Sequence, residues 1–186
     1  MNVARGHYSF GSVCQAVLTD RVFLGLPLSW AINDHYLKPY HPSLITGKLS
    51  DITSLACTPI IMFVVMLGSL HCFICFLYKY KGLTVRYGLP TPWYYALLSL
   101  NAISMGTLMI AINTNSQWSM AYKTGLGYVQ WPWIGLWAWY TYGHWPPLPN
   151  VHLTVDPSDS WTAPAAFISL LILQRSLRRL SQESNR

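Results

Sequence analysis

The sequence predicts an all-α integral membrane protein: four transmembrane helices in one bundle, with a Trp-rich interfacial segment between helices 3 and 4. Three observations carry this. Two long runs, Ile52 to Tyr78 and Tyr94 to Ile112, contain no Asp, Glu, Lys or Arg. Only 10% of the 186 residues are charged, against about 25% in an ordinary soluble domain. The Lys and Arg residues that remain lie at the ends of apolar runs, where membrane proteins place them.

A bilayer core of about 30 Å needs about 20 helical residues. The first crossing is read from Val13 to Ile32. It contains Asp20 and Arg21, expected as an ion pair at its inner end with Arg21 reaching to the headgroups. The second and third crossings are the runs 52–78 and 94–112. The fourth is expected over 157–174, with an apolar centre from Trp161 to Leu173. The chain is read as a single transmembrane domain, 1–186, with no internal repeat.

The segment 114–156 holds six of the nine tryptophans, Trp118, Trp131, Trp133, Trp137, Trp139 and Trp145, together with Pro132, Pro146, Pro147 and Pro149. Tryptophan favours the headgroup level, so this stretch is expected at the interface, with one short helix lying flat. The rival is a fifth span, Tyr128 to Trp145. Charge favours four. With both termini cytoplasmic, the inside holds Arg5, Arg21, Lys79, Lys81, Arg86, Arg175, Arg178, Arg179 and Arg186, and the outside only Lys38, Lys48 and Lys123. That obeys the positive-inside rule, and a fifth span would place the Arg175–Arg179 cluster outside.

Under this topology the outer face collects Asp34, Asp51, Asp156 and Asp159, four of the six acidic residues, with His35, His41, His144, His152, Lys38 and Lys48. Two readings follow. Asp51 and the Asp156-Pro157-Ser158-Asp159 run carry the residues of helix starts, where carboxylates cap free N–H groups. Alternatively Asp34, His35, Lys48, Asp51, Asp156 and Asp159 form a polar cluster, structural or ligand-binding, with Lys48 neutralising two carboxylates. No ligand spacing for a metal is present.

Asn33-Asp34-His35, Thr46-Gly47-Lys48-Leu49-Ser50-Asp51 and Asp156-Pro157-Ser158-Asp159 together resemble a loosely defined set of bacterial multi-pass membrane proteins. Those carry N-D-H, T-G-K-L-S-D and a late D-P-[ST]-D before the last helix. The likeness covers about a third of the chain, and implies a shared fold and a shared polar cluster. It implies no activity. The chain departs from that pattern in Ile52-Thr53-Ser54, where small and aromatic residues are usual, and in its Trp-rich segment.

Other constellations point elsewhere. Thr46-Gly47-Lys48 is no phosphate loop, since position 42 is Pro42 and Leu49 follows the lysine. Cys72-Phe73-Ile74-Cys75 sits in an apolar run and reads as packing. His71, inside the second helix, is a candidate ligand for a haem or chlorin pigment. No catalytic triad order, metalloprotease motif or nucleotide loop appears, and no basic nucleic-acid-reading pattern. The expectation is a non-catalytic membrane subunit that meets the lipid bilayer and other membrane protein subunits. Its expected location is a bacterial inner membrane or an equivalent energy-transducing one, with a respiratory or photosynthetic complex as host. The alternatives are an enzyme or ligand binder using the outer cluster, or pigment binding at His71.

Overall fold

A computed structural model describes residues 7–81, 88–153 and 155–184. Among the described residues the chain is helical apart from one short ribbon, in which β1 (His7–Ser9) pairs antiparallel with β2 (Gly88–Pro90), and the non-helical stretch that follows Tyr142. The contacts divide it into two compact units, Met1–Gly106 with Thr162–Arg186, and Thr107–Trp161.

In the first unit, α1 (Phe10–Leu18) starts at Ser9, whose Oγ accepts the Ser12 N–H at 3.1 Å. It ends at Thr19, and α2 (Arg21–Ile32) starts immediately afterwards. The single helix expected over 13–32 is therefore two. The cause is Asp20, an N-cap whose Oδ1 accepts the Val22 and Phe23 N–H groups at 2.9 and 3.4 Å. A side chain used that way takes extended backbone, and helix cannot run through it.

Beyond α2 the rod continues through a π-helical turn, Asn33–Leu37, into the short α3 (Lys38–Tyr40). Helix α4 (Leu44–Lys81) is about 57 Å long at 1.5 Å per residue. Its start is a reciprocal cap: Ser43 Oγ accepts the Thr46 N–H at 3.2 Å, and Thr46 Oγ1 accepts the Ser43 N–H at 3.0 Å.

The pairing of α1–α2 with α4 follows from its two ends. The Phe10 ring meets His71 edge-on, and Asn33 bonds Thr46. Phe10 and Asn33 lie twenty-three residues apart on one rod, and Thr46 and His71 twenty-five apart on the other. The rods thus run antiparallel and keep pace despite the break. One face of α4, Ile60, Phe63 and Leu67, is buried together with Val13, Val17, Phe23, Tyr94, Leu98, Ile172, Leu173 and Leu177.

Helix α5 (Thr91–Thr114) begins at the ribbon. Tyr94, fully buried, donates its hydroxyl to Tyr8 O at 2.6 Å and accepts the Leu89 N–H at 3.1 Å, so one phenol pins both strands. A side chain at Gly88 would run into the Tyr8 backbone.

The fourth expected helix also differs. Pro157–Phe167 is a 3-10 helix, and only Ile168–Ser184 (α7) is α-helical, extending ten residues past the predicted end at 174. Pro157 and Pro164 have no N–H to give an α-helical ladder. Ala163 O comes so close to α5 that a Cβ at Gly106 would lie 3.3 Å from it. The extra turns of α7 are held by its packing on α1.

In the second unit the helix expected to be short is long. Instead of a short helix, Ser116–Tyr142 (α6) is one helix of 27 residues, about 40 Å. Asn115 caps it, accepting the Gln117 N–H at 2.9 Å, and Gly143 ends it in the left-handed region at φ 73°. The chain then doubles back. Trp145 lies on Gly135, Pro146 O accepts the Trp131 indole N–H at 2.9 Å, Pro149 approaches Gly127, and the Asp156 N–H donates to Asn113 Oδ1 at 3.1 Å. The contacts at Gly135, Trp131, Gly127 and Asn113 follow one another back along the helix. Its prolines suit an extended strand without a pairing partner. A Cβ at Gly135 would collide with the Trp145 ring. Gly135→Ala is therefore expected to displace the return segment, read as a several-fold faster proteinase K cleavage within residues 144–153 at an unchanged helix content.

Candidate functional site

Two polar loci occur in the first unit. The first was not foreseen. Asp20 is 1% exposed, and its Oδ2 pairs with the Arg179 guanidinium and, at 3.6 Å, with Arg175 Nε. It is not the Asp20–Arg21 pair at the inner end that the sequence suggested. Arg21 is exposed, and Asp20 stands ten residues from Phe10 and thirteen from Asn33, near the middle of the rod that runs beside α4.

This junction satisfies several orphan groups at once. The carbonyl end of α1 and the N–H end of α2 meet there, so opposite dipole ends face each other. The Asp20 carboxylate answers the α2 N–H groups. Ala16 O accepts Ser176 Oγ–H at 3.1 Å and an Arg179 N–H at 3.4 Å, and Gln15 O accepts the Thr19 hydroxyl at 2.8 Å. One guanidinium thus covers a carboxylate and a helix C-terminus together. The signal available in the sequence was an Asp inside an apolar run, which demands a cation, together with a cluster of arginines near the C-terminus.

The second locus is part of the predicted cluster. Asp34 Oδ1 accepts the Ser50 hydroxyl and pairs with Lys38 Nζ at 3.2 Å, one helical turn along. Burial raises the Asp34 carboxyl, but the Ser50 hydrogen bond and the Lys38 charge outweigh it and leave it below the usual carboxylate range. Asn33 is fully buried, and its amide N–H donates to Thr46 O at 2.7 Å. Its Oδ1 has no partner among the described residues. Thr46, Ser50 and Thr53 follow each other along α4 as a buried polar stripe, facing the π-helical turn through Asn33 and Asp34. Such turns accompany functional sites often enough to mark this one. Lys48 and Asp51 are half-buried on the same first turns of α4, and each has interaction partners. His35 is exposed.

Asp156 and Asp159 belong to the second unit. Asp156 Oδ1 accepts the Ser158 N–H at 2.8 Å, and the Asp159 N–H donates to Asp156 O at 2.9 Å. That is the helix-start arrangement, with the carboxylate on free N–H groups.

His71 is exposed on α4, and its Nε2 lies 3.6 Å from Cys75 Sγ. Among the described residues no three His, Cys, Asp or Glu side chains converge as a metal would require. An open groove on α6 is lined by Gln117, Met120, Thr124 and Tyr128, a set without a carboxylate, imidazole or thiol. No protein-family description matches the chain, and neither do curated proteins nor solved structures.

Two outcomes test these loci. Asp20→Ala is expected to cost about 1–3 kcal/mol through its lost cap and ion pair, and Arg179→Ala less, because Arg179 is 42% exposed and Arg175 stays beside Asp20. The double variant should cost clearly less than both together. Circular dichroism during denaturation in mild detergent measures this, and strict additivity would contradict the pairing. For Asp34 the folded carboxyl lies below its unfolded value of about 3.9. Its stabilisation is therefore complete above that value and is lost as pH falls through the lower folded one. Asp34→Asn should lower the melting temperature at pH 7 and flatten the decline between pH 5 and 3; an unchanged decline would assign the acid limb to other carboxylates. The effect is small, because the pair is partly exposed and screened by solvent.

Proposed function

We propose that this chain is a non-catalytic integral membrane subunit, with a scaffolding or assembly role in a larger membrane complex. The supporting observation is the overhang of α4. Beyond His71, where α1 begins, α4 continues through Phe73, Phe76, Leu77 and Tyr80, all exposed, with Phe76 at 65% and Tyr80 at 88%. Contiguous apolar surface of that kind marks an interaction site, and aromatic anchors dominate such contacts. The acidic residues with resolved bonds support the same reading. Asp20, Asp34 and Asp156 each join or cap helices.

In this reading the chain crosses the bilayer four times, through α1–α2, α4, α5 and the last helix, with the segment 114–156 outside the crossings. Helices α4 and α5 are long and apolar enough to span. The outward sides of α2 and α4, including Leu24, Leu28, Met62, Val65 and Leu70, are exposed as lipid-facing positions would be. In this reading both termini lie on the cytoplasmic side of a bacterial inner or equivalent membrane, the side that the positive-inside rule favours for the basic residues. Of the residues in that charge count, Arg5, Arg86 and Arg186 lie outside the described ones.

A second reading is ligand binding at the outer cluster, favoured by the buried Asn33 Oδ1, which has no partner among the described residues. A ligand that donates a hydrogen bond there would relieve a desolvation cost of about 1–3 kcal/mol.

Extraction of native membranes in mild detergent tests the first reading. The chain should migrate in an assembly well above its own 21.1 kDa, and Phe73→Ala with Phe76→Ala should shift most of it to the free form. A monodisperse, partner-free wild-type monomer would overturn the proposal.

A further inference from the structure

The faces of α6 differ in a way that names what covers one of them. At 100° per residue, Gly127, Trp131, Gly135 and Ala138 share the face on which the return segment lies. The opposite face carries Trp118, Tyr122, Val129, Trp133, Leu136 and Tyr140, spaced 4, 7, 4, 3 and 4 residues apart. All but Tyr122 are exposed, Trp133 at 73% and Tyr140 at 83%. The stripe runs the length of the helix and contains no charge. Lys123, the only charged residue of α6, falls on its flank.

We propose that α6 lies in the plane of the membrane, with this stripe seated at the headgroup–acyl boundary of the bilayer. The inference rests on the membrane reading above and goes beyond it by fixing which face meets lipid. Three arguments select lipid. Trp and Tyr, which make up four of the six stripe residues, combine an apolar ring with a polar edge and concentrate at that level. Helix α5, apolar and long enough to span, ends at Thr114, and only Asn115 separates it from α6. Helix α6 therefore starts where the chain leaves the hydrocarbon.

The third argument rules out a span. A spanning α6 would carry the extended return segment to membrane depth, with His144, Asn150 and His152, all exposed. Lipid-exposed irregular backbone is not tolerated there. In the plane, the return segment sits on the water side, and Lys123 reaches the headgroups.

The test uses the full chain in phosphatidylcholine–phosphatidylglycerol nanodiscs. Nitroxides are placed singly at Val129, Leu136, Tyr140, Asn150 and, on α4, Val65, after Cys14, Cys57, Cys72 and Cys75 are replaced. Collisions with oxygen and with a nickel chelate report depth. The three stripe labels are expected to favour oxygen at one common depth, within about 5 Å, while Asn150 favours nickel. A spanning helix would instead change depth by about 16 Å between 129 and 140. Such a gradient, nickel access at the stripe, or shielding from both reagents by a protein partner would each overturn the proposal. Val65 separates the two readings: oxygen access there with a wet stripe defeats only this inference, whereas a wet Val65 defeats the membrane reading too. Because the replacements can perturb folding, brominated-lipid quenching of the unmodified chain is compared with W118F/W133F. The double variant should lose at least a third of the quenchable emission, and an unchanged fraction would count against the stripe.

Discussion

A carboxylate in the middle of an apolar rod has to be answered by a cation, and the answer given to Asp20 organises the first unit. Arg179 and Arg175 come from the far end of the chain to meet it. The N-terminal helices and the C-terminal helix are thereby committed to each other before any apolar packing is counted. The same contact explains why the first rod is broken. Asp20 interrupts the helix because its side chain is the cap, and the interruption is tolerated because Ser176 and Arg179 take the carbonyl end left open. In a bilayer, one such charge without a partner costs about 2.5–3.5 kcal/mol at the helix centre.

The other polar contacts act at the ends of the helices. Ser43 with Thr46, and Asn33 with Thr46, hold the hairpin between α2 and α4. Tyr94 closes the opposite end by bonding both strands of the ribbon. Between these ends the packing is apolar. Polar groups set the registers, and apolar side chains fill the space once those are set. Asn33 departs from this, since among the described residues its Oδ1 is buried without a bond, as are Asn101 Nδ2 and Ser160 Oγ. Asn33 is also the place where the π-helical turn departs from regular geometry.

The second unit is built differently. A helix and an extended proline-rich return pack through small residues, Gly127 and Gly135, against Pro149 and Trp145. Proline removes donors from a segment that has no strand to pair with, so little backbone hydrogen bonding is forgone. The result leaves one aromatic face of α6 exposed along its length, the face proposed above to meet lipid.

By itself the sequence determined the helical class, the two apolar runs inside α4 and α5, the turn chemistry at Asp156, and the exclusion of a phosphate loop. Each depends on composition or on neighbours within a few positions. Only the tertiary structure decided the rest. The break at Asp20 depended on arginines some 155–159 residues away, so a local reading paired it with Arg21 instead. The length of α6 was hidden because Gly, Pro and Trp read locally as turn and interface, while Gly135 and Gly127 are glycine to admit Trp145 and Pro149 from the returning chain. The polar cluster was legible as residues but not as pairs. Asp34 and Ser50 meet because the π-helical turn after α2 lies against the first turns of α4, and Lys38 serves Asp34 because the helix carries on through that turn. Local chemistry names the groups that need partners; distance along the chain conceals which partners they find.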